Sequence, residues 1–135
     1  MVNFYIASSF QNVQQVRELA ELLRDKGWKH TYDWTKHHKA DSLDCLSEIG
    51  KKEMKAVGES DILIVLLPAG KGSHIEMGIA LGLGKRVFLY SSTNSIYDFS
   101  QTSTFYHVDG VERYVGDFHS FAQYVIMKNM EDSSI

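Results

Sequence analysis

Several things that would decide the class of this chain at once are missing from it. Its 135 residues hold one cysteine, Cys45, so no internal disulfide can form. Cys45 stands among Leu43, Leu46 and Ile49, where a buried, inert thiol is expected rather than a nucleophile. There is no basic excess: the formal net charge is −3, which argues against the basic face of a nucleic-acid binder. The short run Lys36-His37-His38-Lys39 reads as an exposed loop. No apolar run approaches the ~20 residues needed to span a bilayer. The opening MVNFYIASSF has neither a basic n-region nor a signal-like cleavage site, so a cytoplasmic protein without a membrane partner is expected. Linkers, repeats and breaks in composition are absent, and a 44% hydrophobic content suits one domain over residues 1–135 with its own core. No Cys/His metal cluster is present, and adjacent His37 and His38 would not converge on one ion from a strand. No metal or other cofactor is expected.

What is present is an alternation. An apolar run at 4–7 closes at Ser8-Ser9, and Val13, Val16, Leu19, Ala20 and Leu23 then recur at helical spacing up to Gly27. Residues 28–34 read as a second strand of mixed polarity, at a sheet edge. Leu43, Leu46, Ile49, Met54 and Val57 suggest a helix weakened by Gly50. The continuous apolar run 62–67 suits a strand covered on both faces. A helix is expected over 75–83, a strand over 86–90, a short fifth strand over 105–108 and a last helix over 114–130. Such an order predicts an α/β fold: a five-stranded, mostly parallel sheet between two helical layers, with right-handed crossovers. Ligands in such folds bind beyond the carboxyl ends of the strands. That directs attention to residues 7–10, 33–35, 68–73 and the segment from Ser91 onward.

The turn after the third strand is the most informative stretch, PAGKGSHIEMG. Ser73-His74-Ile75-Glu76 fits a capping box, in which Ser73 and Glu76 would satisfy each other's backbone N–H groups. The same residues allow a functional reading. Gly70 and Gly72 let a ligand approach the backbone, free N–H groups at a helix start can hold an anion, and a carboxylate there could attack a carbon centre. Lys71 suggests phosphate, but no Walker A pattern surrounds it. Asp61 opens the third strand, at the end away from the expected crevice. Tyr5 lies inside the first strand, where core packing is the ordinary fate of a tyrosine.

Taken in order, Tyr5-Ile6-Ala7 with Phe10, Ser60-Asp61 before an apolar strand, Gly72-Ser73-His74-Ile75-Glu76-Met77-Gly78-Ile79-Ala80, and Gly84-Lys85 before the next strand resemble the nucleoside 2-deoxyribosyltransferase superfamily. That superfamily includes the related nucleoside 5′-monophosphate N-glycosidases. The resemblance implies a flavodoxin-like (Rossmann-like) three-layer sandwich. It implies that Glu76 is a nucleophile at the anomeric carbon, with Asp61 near the base and Tyr5 orienting the glutamate. Ala7, Ser8, Phe10, Gly70, Lys71, Gly72 and Ser73 would contact the nucleoside or nucleotide. It further implies a homo-oligomer whose sites are completed by residues 94–103 of a neighbouring subunit. One departure bears on substrate. The transferases carry an acid in the turn before the nucleophile, and this turn has none; Lys71 and Ser73 suit a phosphate better than a neutral hydroxyl, which favours nucleotide hydrolysis over base exchange. Two alternatives stand beside this expectation: a non-catalytic module that binds a nucleotide or NAD-derived signal, with Glu76 a cap only, and a Toll/interleukin-receptor-like NAD glycohydrolase.

Overall fold

A computed structural model describes residues 1–36 and 39–133. His37 and His38, on which the adjacent-histidine expectation falls, and the last two residues, Ser134 and Ile135, lie outside the described residues. The strands are β1 (Asn3–Ser8), β2 (Lys29–His30), β3 (Ile62–Leu66), β4 (Arg86–Ser91) and β5 (Val111–Val115). The helices are α1 (Val13–Asp25), α2 (Leu43–Glu59), α3 (Lys71–Gly82) and α4 (Phe118–Ser133). Every pairing in the sheet is parallel and the order is β2-β1-β3-β4-β5, the flavodoxin-like arrangement expected. Helix α1 packs with α4, and α2 with α3. The central strands β1, β3 and β4 are buried on both faces, which is why they read as unbroken apolar runs.

Four elements differ from the sequence-based expectation, each for a local reason. Strand β2 stops after two residues, because the Asp33 carboxylate accepts from the Thr35 N–H (3.0 Å) and hydroxyl (2.5 Å) and turns the chain into a 3-10 turn over Trp34–Lys36. The indole of Trp34 then donates to the Ile6 carbonyl at 2.6 Å, taking a ladder partner that a longer β2 would have supplied. The fifth strand is not at 105–108. Ser103 accepts from the Phe105 N–H and winds Thr104–His107 into another 3-10 turn, while β5 begins after Gly110, whose φ of +95° favours glycine. Tyr114 accordingly belongs to β5 rather than to the last helix, which starts beyond Gly116 (φ +143°), where Asp117 accepts from the Ser120 N–H.

Helix α2 is capped by Ser42, runs through Gly50 without a break, and buries only Ala56 and Val57. The apolar cluster expected around Cys45 is therefore absent: Leu43 is 82% and Leu46 56% exposed, and Cys45 itself is half-buried. Helix α3 begins at Lys71, four residues before the expected start. Its N-cap is Gly70, which brings no side chain, so Ser73 lies inside the first turn and the capping box does not form. No helix among the described residues is long and apolar enough to cross a membrane.

Candidate active site

A cavity of about 770 Å³ opens above the carboxyl ends of β1 and β3. The chain leaving β1 supplies Ser8 to Gln11, the turn after β2 supplies Trp34, and the start of α3 supplies Gly70 to Ser73 and Glu76. Helix α2 supplies Leu46, Ile49 and Glu53, with Lys39 and Ala40 just ahead of it.

The floor of this cavity answers what Glu76 does locally. Its carboxylate is not turned back to the helix start; Oε2 lies on the hydroxyl of Tyr5. Tyr5 is wholly buried in β1, and its hydroxyl also lies 3.2 Å from Oε2 of Glu53. Three helical and strand elements thus converge on one hydroxyl. A tyrosine carries a single hydroxyl hydrogen and can donate to one carboxylate at a time. The trio is satisfied when one carboxyl keeps its proton and donates to the Tyr5 oxygen while Tyr5 donates to the other. The electrostatics agree. Burial first, then the hydrogen bond and charge of Glu53, push Glu76 from 4.5 up to about 8, against the opposing hydrogen bond from Tyr5. Burial and the two carboxyl groups push the Tyr5 phenol well above its ordinary range, so Tyr5 stays neutral. The group is two carboxyls on one buried hydroxyl, with the buried one, Glu76, holding its proton into the neutral range, and both line the cavity.

The residues around it are firmly held. Phe10 is 71% exposed at the mouth and meets the ring of Trp34 edge-on at 5.2 Å. Arg17 donates to the hydroxyl (3.3 Å) and carbonyl (3.1 Å) of Thr35, fixing the turn that carries Trp34. The hydroxyl of Ser8 donates to the Leu66 carbonyl at 2.7 Å, tying the end of β1 to β3. Gly70, Lys71, Gly72 and Ser73 form one wall, and the first N–H groups of α3 have no intrahelical acceptor.

Two of the residues singled out in the sequence are elsewhere. Ala7 is buried within β1 and does not line the cavity. Asp61 is exposed at the amino end of β3, where its Oδ2 accepts from the Asn3 N–H at 2.7 Å; it stitches β1 to β3 at the far end of the sheet. The acid that does join Tyr5 and Glu76 is Glu53, which the sequence reasoning missed. A signal was available: Leu46, Ile49, Glu53, Ala56 and Val57 fall on one helical stripe, and an acid on an inward stripe is out of place unless it has work there. Among the described residues, no group of three or more His, Cys, Asp or Glu side chains could hold a metal ion.

A doubly wound parallel sheet with a carboxyl pair beyond its strand ends defines an α/β enzyme-like architecture. The nucleoside 2-deoxyribosyltransferase family model matches residues 4–124, and the chain belongs to that family. It is thus an enzyme of the nucleoside 2-deoxyribosyltransferase kind. Solved structures share the fold. The CMP N-glycosidase BcmB of Clostridium botulinum is 20% identical, with a TM-score of 0.64, covering 93% of this chain and 98% of that one. A 2-deoxyribosyltransferase of Bacillus psychrosaccharolyticus is 21% identical, with a TM-score of 0.69, covering 90% and 91%. A conserved protein of Enterococcus faecalis V583 is 14% identical, with a TM-score of 0.58, covering 95% and 99%. Comparison with curated protein sequences gives no match.

Proposed function

We propose that this protein hydrolyses the N-glycosidic bond of a nucleoside 5′-monophosphate, with Glu76 as nucleophile and Glu53 as the acid. The observation that carries this is the pair of carboxyl groups on the Tyr5 hydroxyl at the floor of the cavity. Cleaving a C–N glycosidic bond passes through an oxocarbenium-like transition state, which a carboxylate beside the anomeric carbon stabilises. As substrate binds, the proton held by Glu76 passes through the Tyr5 hydroxyl to Glu53; the Glu76 carboxylate then attacks C1′, the C1′–N bond breaks, and its electron pair leaves with the base. Glu53 gives its proton to the departing base. A water then attacks C1′, Glu53 takes up the proton of that water, and the bond from C1′ to Glu76 breaks. Two carboxyl groups drawn onto one hydroxyl resemble the close spacing of retaining pairs, about 5–5.5 Å, more than the ~6.5–9.5 Å that leaves room for a water between them. Tyr5 orients both groups and favours the ionised form of whichever it donates to.

Support for a phosphate comes from the wall formed by the start of α3. Lys71 and the uncapped first turn of α3 present a cation and free N–H groups on the same side of the cavity, and no acid lies in the turn. Phe10, exposed at the mouth beside Trp34, offers a ring face to a base. The protein is further proposed to act as a homo-oligomer, since Phe99 (97%), Phe105 (64%) and Tyr97 (55%) are exposed along the segment after β4. Light scattering at micromolar concentration tests this point, and a monomer throughout would count against it. For the reaction, the decisive assay is chromatography for free base from a panel of nucleosides and their 5′-monophosphates, with and without an added acceptor base. Free base from monophosphates without acceptor is the expected result. Release that requires an acceptor would make the protein a transferase, and no release from any member would remove the catalytic reading.

A further inference from the structure

The turn that lines the cavity is built from two glycines, so little of its own chemistry restrains it. Neither Gly70 nor Gly72 has a side chain, and a Cβ at either position would meet nothing within 4 Å. Restraint comes from one residue further along. His74 places two donors on the Gly70 carbonyl: its backbone N–H at 3.2 Å and its ring Nδ1 at 2.8 Å. A carbonyl oxygen only accepts, so Nδ1 carries the hydrogen, and in the neutral ring Nε2 is left as an acceptor. That acceptor meets the hydroxyl of Tyr106 at 2.7 Å, and the two rings stack with centroids 5.8 Å apart and 21° between planes. Tyr106 belongs to the 3-10 turn between β4 and β5, and its carbonyl accepts from Arg113 of β5 at 2.8 Å. A continuous line of contacts therefore runs from the edge strand through His74 to the glycine turn, which ends four residues ahead of Glu76.

We propose that His74 and Tyr106 are positioning residues that hold the Gly70–Gly72 turn in its substrate-ready shape. The idea rests on the cavity being the base-releasing site, but the bridge itself is tested without substrate. Glycine backbones lose the most conformational freedom on ordering, so a turn held ordered before binding saves that loss when substrate arrives. The bridge should therefore act on KM and leave the chemical step alone.

The variants are Tyr106→Phe, which keeps the ring stack and removes the hydroxyl, and His74→Phe, which removes both ring hydrogen bonds. Amide hydrogen exchange of the ligand-free chain is measured together with kcat and KM for the monophosphate that wild type cleaves fastest. Exchange at residues 74–76, whose amides bond the Gly70–Gly72 carbonyls, should quicken about fivefold in each variant, the scale of one ordinary hydrogen bond, while the sheet is unchanged. KM should rise about fivefold with kcat within about twofold, and the double variant should be no worse than His74→Phe alone, because both act through one contact. Unchanged exchange at 74–76, a uniform rise across the whole chain, or a fall in kcat at constant KM would each overturn the proposal. If wild type cleaves no nucleotide, the functional reading fails, and the exchange data still decide whether the bridge holds the turn.

Discussion

Glu76→Gln should give a protein that is both inactive and, at alkaline pH, more stable than wild type. Glu76 is 8% exposed, and burial, together with Glu53, raises its pKa from 4.5 to about 8 in the folded chain. A carboxyl that binds its proton more tightly when folded supports folding fully below its unfolded pKa. That support is lost as pH rises from 4.5 to about 8, where the unfolded chain has ionised and the folded one has not. At ~1.36 kcal/mol per pKa unit, the interval corresponds to at most about 5 kcal/mol. Glutamine does not titrate, and its carbonyl can still accept from Tyr5. The variant should therefore match wild type in melting temperature near pH 5 to within a few degrees and exceed it clearly at pH 9. Turnover should move the other way. Without a charge to bond C1′, base release should fall at least ~100-fold, or about 2.7 kcal/mol in the barrier. Melting curves at the two pH values and chromatographic base release report the two effects independently. Base release within a few-fold of wild type would refute the nucleophile assignment. A melting temperature with the same pH dependence as wild type would refute the buried, proton-holding carboxyl.

Three further outcomes follow from the same geometry. Glu53→Gln removes both the acid and the charge that helps raise Glu76, so kcat/KM should fall ~10²–10⁴-fold and its acid limb should move to lower pH; a pH–rate profile with an unmoved limb would separate Glu53 from Glu76. Ser73→Ala should cost the helix little, because Gly70 rather than Ser73 is the N-cap, but should weaken binding of a monophosphate more than of its nucleoside; equal losses by calorimetry would leave Ser73 out of the phosphate wall. His30 stacks on Phe4 with both ring nitrogens buried and unpartnered, and burial lowers its pKa from 6.5 to about 4. Its neutral form supports the fold above pH 6.5, and up to about 3 kcal/mol is lost as pH falls to about 4, so His30→Phe should flatten the melting temperature between those limits.

How much of the fold could be read in advance depended on how local its causes are. The central strands were legible because burial on both faces leaves an apolar run that nothing else in a small domain produces. The edges were not, because β2 and β5 are ended and begun by side-chain capping. Phe105-Tyr106-His107-Val108 has strand composition, yet one Ser103 hydroxyl on the Phe105 N–H turns it into a 3-10 turn. Likewise Ser73-x-x-Glu76 satisfies the capping pattern, but Gly70 starts the helix a turn earlier, and that frees both side chains to face the cavity.

The site divides along a similar line. Glu76 could be picked out because it follows a strand end, where the fold class puts ligands; Tyr5, whose place inside a strand suggests core packing, was singled out only by the family resemblance. Glu53 could not be found by following strand ends, since it reaches the cavity from the side, across α2, out of a segment, Lys51-Lys52-Glu53-Met54-Lys55, that looks solvated in composition. Strand topology had already argued against Asp61, because ligands in parallel α/β sheets gather beyond the carboxyl ends and Asp61 opens its strand. The Asn3 contact gives Asp61 a structural task at the opposite end. The two acids also differ in what their surroundings can do to a proton. Asp61 is exposed, where solvent screens any neighbour. Glu53 shares a buried hydroxyl with Glu76, whose proton is held into the neutral range by burial and by Glu53 beside it. A reaction that needs an acid and a base at once, near neutral pH, can be run from the second arrangement and not from the first.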